Sequence, residues 1–120
     1  YMTARENLAL VCKIKDVSEQ KIKEKLELVG LIERANSKFS TFSLGMKQRL
    51  AIASALLNDP EILILDEPSS ALDVENKQKL LTLVKHLTQK KSLITIIITH
   101  DSQVMNICDD TYILSNGELL

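Results

Sequence analysis

Seven residues between positions 43 and 100 are of the types that phosphate and magnesium chemistry uses, and each stands near a point where a predicted strand or helix begins or ends. Open α/β sheets place their ligands at such points, outside the carboxyl ends of the strands. Hydroxyl, amide, carboxylate and imidazole groups in this order favour nucleotide hydrolysis. The residues are Ser43, Gly45, Gln48, Asp66, Glu67, Asp73 and His100.

Asp66 and Glu67 are adjacent carboxylates at the end of an apolar run. Neighbouring side chains of a strand point to opposite faces, so one acid can hold a magnesium ion through water while the other faces an attacking water. Taken alone, an apolar run that ends in Asp-Glu-Pro is often only a strand meeting a polar turn. The pair indicates a magnesium and water site only in combination with the other candidate residues.

His100 ends a second apolar run, and a right-handed crossover between the two strands would bring it to the same sheet edge as Glu67. A single histidine after a strand is more often structural than catalytic. Here two acids are expected at the same sheet edge, and they make a catalytic role the favoured one for His100. His86 lies on a lysine-rich helix without such neighbours, and we expect it to be solvated.

Ser43 is predicted to cap a helix whose first turn contains Gly45. The amides and the dipole of a helix start attract anions. Glycine inside a helix costs up to ~1 kcal/mol, which favours a close approach of another group to the backbone. The alternative is an ordinary N-cap beside an incidental glycine. The chain contains no G-x-x-x-x-G-K-[ST] phosphate loop.

Helices come first among the elements that must position these residues. Thr3 and Glu6 have the spacing of a capping box and predict a helix over residues 4–15. Ser18 offers a cap for a second helix, and Gly30 would stop it in a left-handed conformation. A third helix starts after Ser43.

The rest of the chain predicts a strand, a helix and a strand. Short apolar runs at residues 62–65 and 93–98 flank a helical pattern, which favours one right-handed βαβ unit with both strands buried and parallel. Asp101 or Ser102 would cap a short helix. A hairpin turn at Asn116-Gly117 would join residues 112–114 to 118–120.

Composition excludes several classes of protein. The 120 residues are 45% hydrophobic and 26% charged, which is typical of one globular domain. Only 3% are aromatic, so few side chains could stack on the bases of a single-stranded nucleic acid. Residues 1–50 carry ten basic and six acidic side chains, whereas residues 51–120 carry five and ten. Solvated helix faces would explain this split, or the basic part faces phosphates or an acidic partner.

Cys12 and Cys108 are too few and too far apart for a zinc site or a disulfide framework. We expect buried thiols in a reducing compartment. No apolar run approaches the ~20 residues needed to cross a bilayer, so we expect a cytosolic chain.

Four motifs together resemble the ATP-binding cassette (ABC) ATPases, and the resemblance covers the whole chain. Residues 43–49, Ser-Leu-Gly-Met-Lys-Gln-Arg, are similar to the signature motif of that family, and residues 62–68, Ile-Leu-Ile-Leu-Asp-Glu-Pro, to its Walker B strand. Residues 70–73, Ser-Ala-Leu-Asp, resemble its D-loop, and residues 99–101, Thr-His-Asp, its switch histidine. Residues 3–8 resemble the entry to its helical subdomain.

The resemblance implies ATP and Mg²⁺ as cofactors, one metal ligand and two catalytic residues. Asp66 would hold the magnesium ion. Glu67 would be the general base that polarises the attacking water, and His100 would contact the γ-phosphate.

The resemblance also implies a site shared between two subunits. Ser43, Gly45 and Gln48 would bind the γ-phosphate of ATP held by a second ATPase subunit. Asp73 would couple the two sites across the interface of this dimer.

The signature departs from the common Leu-Ser-Gly-Gly-Gln. Leu44 replaces the first glycine and Met46 the glutamine. Backbone amides survive both changes, so they can still bind an anion. The variant is similar to one common in bacterial exporters of the bacitracin and lantibiotic-resistance type, which implies export.

The implied fold is α/β: a partial P-loop NTPase (RecA-like) core with a parallel βαβ unit, preceded by the ABC α-helical subdomain. We expect residues 1–58 to form that subdomain and the signature helix, and residues 59–120 the C-terminal part of the core. The subdomain would receive the coupling helix of a transmembrane permease. The chain would then lie at the cytoplasmic face of the membrane, attached through the permease only, with no nucleic acid partner.

In this family the Walker A loop lies upstream of the helical subdomain, and the chain begins after it. We therefore expect a cassette fragment with negligible ATPase activity and weak ATP affinity by itself. The strand that should complete its sheet is also missing, which predicts self-association through an uncovered apolar face.

Two other functions stay open. One is a non-transport ABC ATPase of the ribosome-associated or chromosome-maintenance type. The uninterrupted approach from Thr3 to the signature helix speaks against a nearby long coiled coil of the latter type. The other is a non-enzymatic module that presents its signature helix to a partner.

Overall fold

A computed structural model gives the fold of the chain and describes residues 1–119. Three helices come first, with short 3₁₀ turns at Ile32–Arg34 and Phe39–Thr41 between the second and the third: α1 (Ala4–Lys15), α2 (Lys21–Leu28) and α3 (Leu44–Leu56). The second half contains β1 (Ile62–Asp66), α4 (Val74–Lys90), β2 (Ile94–Ile98), α5 (Ser102–Met105), β3 (Leu114–Ser115) and β4 (Glu118–Leu119). The described residues form no helix long and apolar enough to cross a membrane.

Helix α1 begins and ends where the sequence predicts. The Thr3 hydroxyl accepts a hydrogen bond from the Glu6 backbone N–H at 3.1 Å, and the Glu6 carboxylate accepts one from the Thr3 N–H at 2.9 Å. The Thr3 N–H favours the ionised carboxylate and lowers the pKa of Glu6. The capping box is therefore confirmed.

Helix α2 starts later than predicted. Its N-cap is Gln20, which makes no side-chain capping bond. The Ser18 hydroxyl instead accepts a hydrogen bond from the Gln20 N–H at 3.2 Å, so it shapes a turn before the helix. The prediction of Ser18 as the cap is wrong. Gly30 follows the end of α2 with φ +74°, which confirms the left-handed stop.

Strands β1 and β2 pair in parallel, with Ile62 opposite Ile94 and Asp66 opposite Ile98. Helix α4 connects them, which confirms the parallel βαβ unit. The prediction that both strands are buried is wrong. Leu63 is buried, but one face carries five isoleucines that are 47–62% exposed: Ile62, Ile64, Ile94, Ile96 and Ile98. Side chains alternate between faces, and within residues 1–119 the helices pack on only one of them.

One buried core runs from α1 to β2. Its completely buried side chains are mostly leucines, and they come from both sides of position 58: Leu8, Leu26, Leu31, Leu57, Leu63, Leu80 and Leu87. The boundary at residues 58 and 59 stays a prediction.

The end of the described chain follows the predicted turn chemistry. Asp101, not Ser102, caps α5, because its carboxylate accepts a hydrogen bond from the Gln103 N–H at 2.9 Å. Asn116 and Gly117 both have positive φ and join β3 to β4 in an antiparallel hairpin. Position 120 of the predicted hairpin lies outside the described residues.

Both cysteines are free thiols. Cys12 is buried in the core, as expected, whereas Cys108 is only half-buried, so the expectation of a buried thiol is wrong there. Burial raises the pKa of each thiol, because the charged thiolate loses contact with water.

A cluster of charged side chains joins α2 to the segment before β1. The Lys25 side chain is only 1% exposed, and its ammonium donates to Asp59 Oδ1 at 2.6 Å and to Glu24 Oε1 at 3.3 Å. Lys21 also pairs with Asp59, and Lys91, just after α4, pairs with Glu24 at 3.4 Å. The cluster therefore links three separate segments.

Replacing Asp59 by Asn removes the carboxylate but keeps a residue type that tolerates its φ of +48°. We expect a loss of about 1–2 kcal/mol at neutral pH, since buried Lys25 loses a partner, although the carboxylate itself is half exposed. Hydrogen bonds from Lys21 and Lys25 lower the pKa of Asp59 to about 2. Because this is below the unfolded value, the stability is present above about pH 4 and is lost as the pH falls toward 2.

Urea unfolding of Asp59→Asn and wild type between pH 7 and pH 2 measures this difference. Asp16→Asn is the matched control, since Asp16 also has a positive φ of 56° and forms no ion pair within the described residues. Equal losses for the two variants, or a difference that does not shrink in acid, would contradict the assignment.

The exposed isoleucine face predicts self-association of the chain. Contiguous apolar patches on a free surface bind a second surface. We expect light scattering to give a mass above that of the monomer, falling to the monomer mass in Ile64→Lys. Ile14→Lys is the control, because Ile14 is an exposed isoleucine of α1, away from the sheet. A monomeric wild type over a wide concentration range would overturn the prediction.

Candidate functional site

The two parallel strands end side by side, and this brings Glu67 to His100. The Glu67 N–H donates to the Ile98 carbonyl at 2.7 Å, which extends the ladder past Asp66. His100 Nδ1 then lies 2.6 Å from Glu67 Oε1. An ionised Glu67 carboxylate only accepts hydrogen bonds, and Nδ1 is then the donor. The expected meeting of the two residues at one sheet edge is confirmed.

Glu67 reaches His100 because its backbone leaves the strand. Its φ is +46°, in the left-handed region that non-glycine residues occupy only at a cost of about 1–3 kcal/mol. The two carboxylates were expected to point to opposite faces because side chains alternate along a strand. That alternation ends at Asp66, the last residue of β1. Asp66 is exposed on the same face as Ile62 and Ile64, while the Glu67 side chain is 34% exposed.

A second group of predicted residues gathers at the start of α3. Ser43 caps the helix, and its hydroxyl accepts a hydrogen bond from the Met46 N–H at 3.2 Å. Gly45 is buried against Asn76 of α4, and a Cβ atom at Gly45 would lie 2.9 Å from Asn76 Oδ1. The predicted close approach at this glycine is therefore provided within the chain by a side chain of α4.

Asp73 belongs to the same group through Asn76. One oxygen of the Asp73 carboxylate accepts from the Asn76 backbone N–H at 2.7 Å, and the other accepts from its side-chain amide at 3.3 Å. Asp73 is thus the N-cap of α4 and holds the residue that packs on Gly45. Gln48 lies half-buried on α3. Within residues 1–119, no hydrogen bond joins this group to Asp66, Glu67 or His100.

A third set of side chains, which the sequence does not single out, surrounds Asp101. Ser69 donates to Asp101 Oδ2 at 3.2 Å, and Lys77 Nζ lies 2.7 Å from the same oxygen. Lys77 is the main cause of the lowered pKa of Asp101. The one sequence signal is Asp101 itself, which is predicted only as a helix cap and as part of Thr-His-Asp. Neither Ser69 nor Lys77 has a local pattern that could reveal the contact.

His86 is exposed on α4, as expected. The described residues contain no cluster of three or more His, Cys, Asp or Glu side chains arranged for a metal ion. Magnesium is usually held by one or two carboxylates together with waters and substrate phosphates. The exposed carboxylate of Asp66 fits an ion that is shared with a bound phosphate group.

Comparison with known proteins identifies the family of this chain. The family model of ABC transporters matches residues 1–70. This chain belongs to the ABC transporter family. The matched part includes five of the seven candidate residues, namely Ser43, Gly45, Gln48, Asp66 and Glu67.

The chain is similar to ABC proteins of known name. It is 45% identical over 123 residues to the methionine import ATP-binding protein MetN of Streptococcus pyogenes serotype M4, and 44% identical to MetN of serotype M3. Each alignment covers 98% of this chain and 35% of the relative. The chain therefore spans about a third of the length of these relatives.

Solved structures confirm the α/β fold as that of a fragment of an ABC ATPase domain, of the P-loop NTPase type. An inward-facing transporter of the metal-chelate type matches with a TM-score of 0.88 at 24% identity, over 98% of this chain and 51% of that one. CbiO1 of Clostridium perfringens, part of the ABC transporter complex cbiONQ, matches with a TM-score of 0.79 at 27% identity, over 84% and 41%.

The contact between Gly45 and Asn76 can be tested by a double-mutant cycle. Gly45→Ala should destabilise the chain by about 1–2 kcal/mol, because the new Cβ overlaps an amide that Asp73 holds in place. In an Asn76→Ala background the same change should be neutral or stabilising, since alanine is the better helix former. Chemical unfolding of the four proteins gives the coupling. Additive effects would show that the two residues do not interact.

Proposed function

We propose that this chain is the part of an ABC transporter ATP-binding subunit that hydrolyses ATP and presents the signature segment. The observation that carries the proposal is the 2.6 Å hydrogen bond between Glu67 and His100 at the carboxyl edge of a parallel strand pair. It occurs in a chain of the ABC family whose strand order and connecting helix have the expected arrangement. A carboxylate and an imidazole in contact can share a proton during hydrolysis.

Each residue at this edge has a chemical task in the proposal. Glu67 is the general base, because its carboxylate is one-third exposed and can accept a proton from water. His100 orients that carboxylate through Nδ1, and its 92% exposed ring leaves Nε2 accessible to a phosphate oxygen. Asp66 holds Mg²⁺, which supplies charge stabilisation at the phosphates when it is bound.

Ser43, Gly45 and Gln48, here called the signature group, contact a second nucleotide in the proposed function. Ser43 and Gly45 place the start of α3 at a phosphate held by another ATPase subunit, with Gln48 one turn further along. The absence of hydrogen bonds between this group and the Glu67 edge, within residues 1–119, supports two separate nucleotide contacts. Asp73 would couple the two contacts across the subunit interface, and within this chain it caps the helix whose Asn76 packs on Gly45.

The partners in this proposal are a second ATPase subunit and a transmembrane permease. The structurally similar protein cbiO1 is part of the ABC transporter complex cbiONQ, which supports an assembly of this kind. The chain would then work at the cytoplasmic face of the membrane. The helical subdomain, residues 1–58, would be the part that meets the permease.

Import is the better-supported direction of transport. The MetN relatives are named as methionine import proteins, and the expectation of export from the signature variant finds no support in those names. They also favour transport over a ribosome-associated or chromosome-maintenance role. A binding module without hydrolysis would not require the Glu67–His100 contact.

A chimera tests the hydrolytic role. The matching segment of S. pyogenes MetN, which is 45% identical over 123 residues, is replaced by this chain. We expect the chimera to hydrolyse ATP in the presence of Mg²⁺. Glu67→Gln should lower turnover by about 10²-fold or more and leave ATP binding unchanged, since general-base contributions have that size. Steady-state hydrolysis and equilibrium binding of ATP measure the two effects.

Glu61→Gln is the control, because Glu61 is an exposed glutamate at the opposite end of β1. It should leave turnover unchanged. Unchanged turnover in Glu67→Gln would remove that residue from the role. A folded chimera that binds ATP without hydrolysing it would favour the non-enzymatic module.

A further inference from the structure

The imidazole of His100 has little packing to hold it in place. Its side chain is 92% exposed, and its contact with Glu67 is a single hydrogen bond. An exposed side chain samples several rotamers unless its backbone and its partners restrict it. The geometry of the pair therefore depends on how the two backbone segments that carry it are held.

The segment that carries His100 is held by the next residue, Asp101. The Asp101 carboxylate binds three elements at once: the start of α5, the turn after β1, and α4. Its backbone N–H is also fixed by the Thr99 hydroxyl, at 2.9 Å. The carboxylate partners are the Gln103 N–H at 2.9 Å, the Ser69 hydroxyl at 3.2 Å and the Lys77 ammonium at 2.7 Å.

The hydrogen bond between Ser69 and Asp101 and the one between Glu67 and His100 together close a ring between the two segments. Ser69 lies two residues after Glu67, and Asp101 lies one residue after His100. The two segments are thus joined three times, by the Glu67 N–H to the Ile98 carbonyl, by Glu67 to His100, and by Ser69 to Asp101. A shift of Asp101 would therefore be transmitted to the imidazole.

Lys77 ties this ring to α4. Its side chain is 20% exposed and that of Asp101 is 21% exposed, so the pair is partly shielded from water. Ser69 is only 5% exposed. A charge-assisted bond in such surroundings has a more defined geometry than a fully exposed ion pair. Lys77 also lies four residues after Asp73, the cap of the helix whose Asn76 packs on Gly45.

We propose that Lys77 is a positioning residue, whose ion pair with Asp101 fixes the His100 segment so that the imidazole meets Glu67. The role of the Glu67–His100 pair in hydrolysis rests on the function proposed above. The position of the imidazole does not, and it can be measured without ATP.

The chain has two histidines, which makes NMR of their ring nitrogens a direct test. His86 is exposed on α4 and serves as a reference within the same molecule. A neutral His100 that donates from Nδ1 to a carboxylate is fixed as the Nδ1–H tautomer, whereas a free imidazole exchanges between both tautomers. At alkaline pH, the wild type should show the Nδ1–H pattern for His100 only.

Lys77→Met should move the His100 nitrogen resonances toward the tautomer mixture of His86, and Lys77→Arg should restore the wild-type pattern. Lys79→Met is the matched control. It removes the same charge from the same helix, but Lys79 pairs with exposed Glu75 at 3.3 Å and not with Asp101. It should leave His100 unchanged.

A folded Lys77→Met with the wild-type His100 pattern overturns the proposal, as does an equal change in Lys79→Met. Circular dichroism establishes whether each variant is folded. If Lys77→Met unfolds, Ser69→Ala decides instead, because it removes one hydroxyl from the same carboxylate: loss of the Nδ1–H pattern supports the ring and an unchanged pattern overturns it. Failure of hydrolysis in the MetN chimera, with the NMR result intact, would overturn the proposed function alone.

Discussion

The parallel pairing of β1 with β2 is the constraint on which the rest of the structure depends. Parallel strands end at the same edge, so residues far apart in sequence meet only if the register is correct. Asp66 lies opposite Ile98, and the chain beyond each of them forms the Glu67–His100 contact. A slip of one residue would place every inward side chain of a strand on the wrong face. Buried Leu63 therefore helps to hold the register that the site needs.

The first residues of α4 connect the two groups of candidate residues. Asp73 caps the helix, and Asn76 turns toward Gly45 at the start of α3. Lys77, the next residue, turns toward Asp101 and the His100 segment. The first turn of α4 thus contacts both the start of α3 and the segment that carries His100, which are the two nucleotide contacts in the proposed function. In the proposed function, this arrangement would give Asp73 a route for coupling within the chain, in addition to the contact across a dimer that the family resemblance implies.

Most features with a local cause were predicted correctly from local patterns, with the cap of α2 as an exception. The capping box of α1, the cap at Ser43 and the turn at Asn116-Gly117 each follow from residues within four positions of one another. Ser18 failed because its hydroxyl found a closer amide, two residues ahead. The meeting of Glu67 and His100 was predicted correctly because parallel strands and a crossover connection restrict where the strand ends can lie.

Apart from the meeting of Glu67 and His100, contacts between distant elements could not be predicted, because each arises only when those elements pack. Lys25 appeared as one lysine on a charged helix, and nothing near it indicated that Asp59 would hold its ammonium in the interior. The same holds for Asn76 against Gly45. Strand burial failed for a related reason. The isoleucines of β1 and β2 show that both faces suit a dry environment, but the sequence of the strands does not say whether the described residues supply both covering layers.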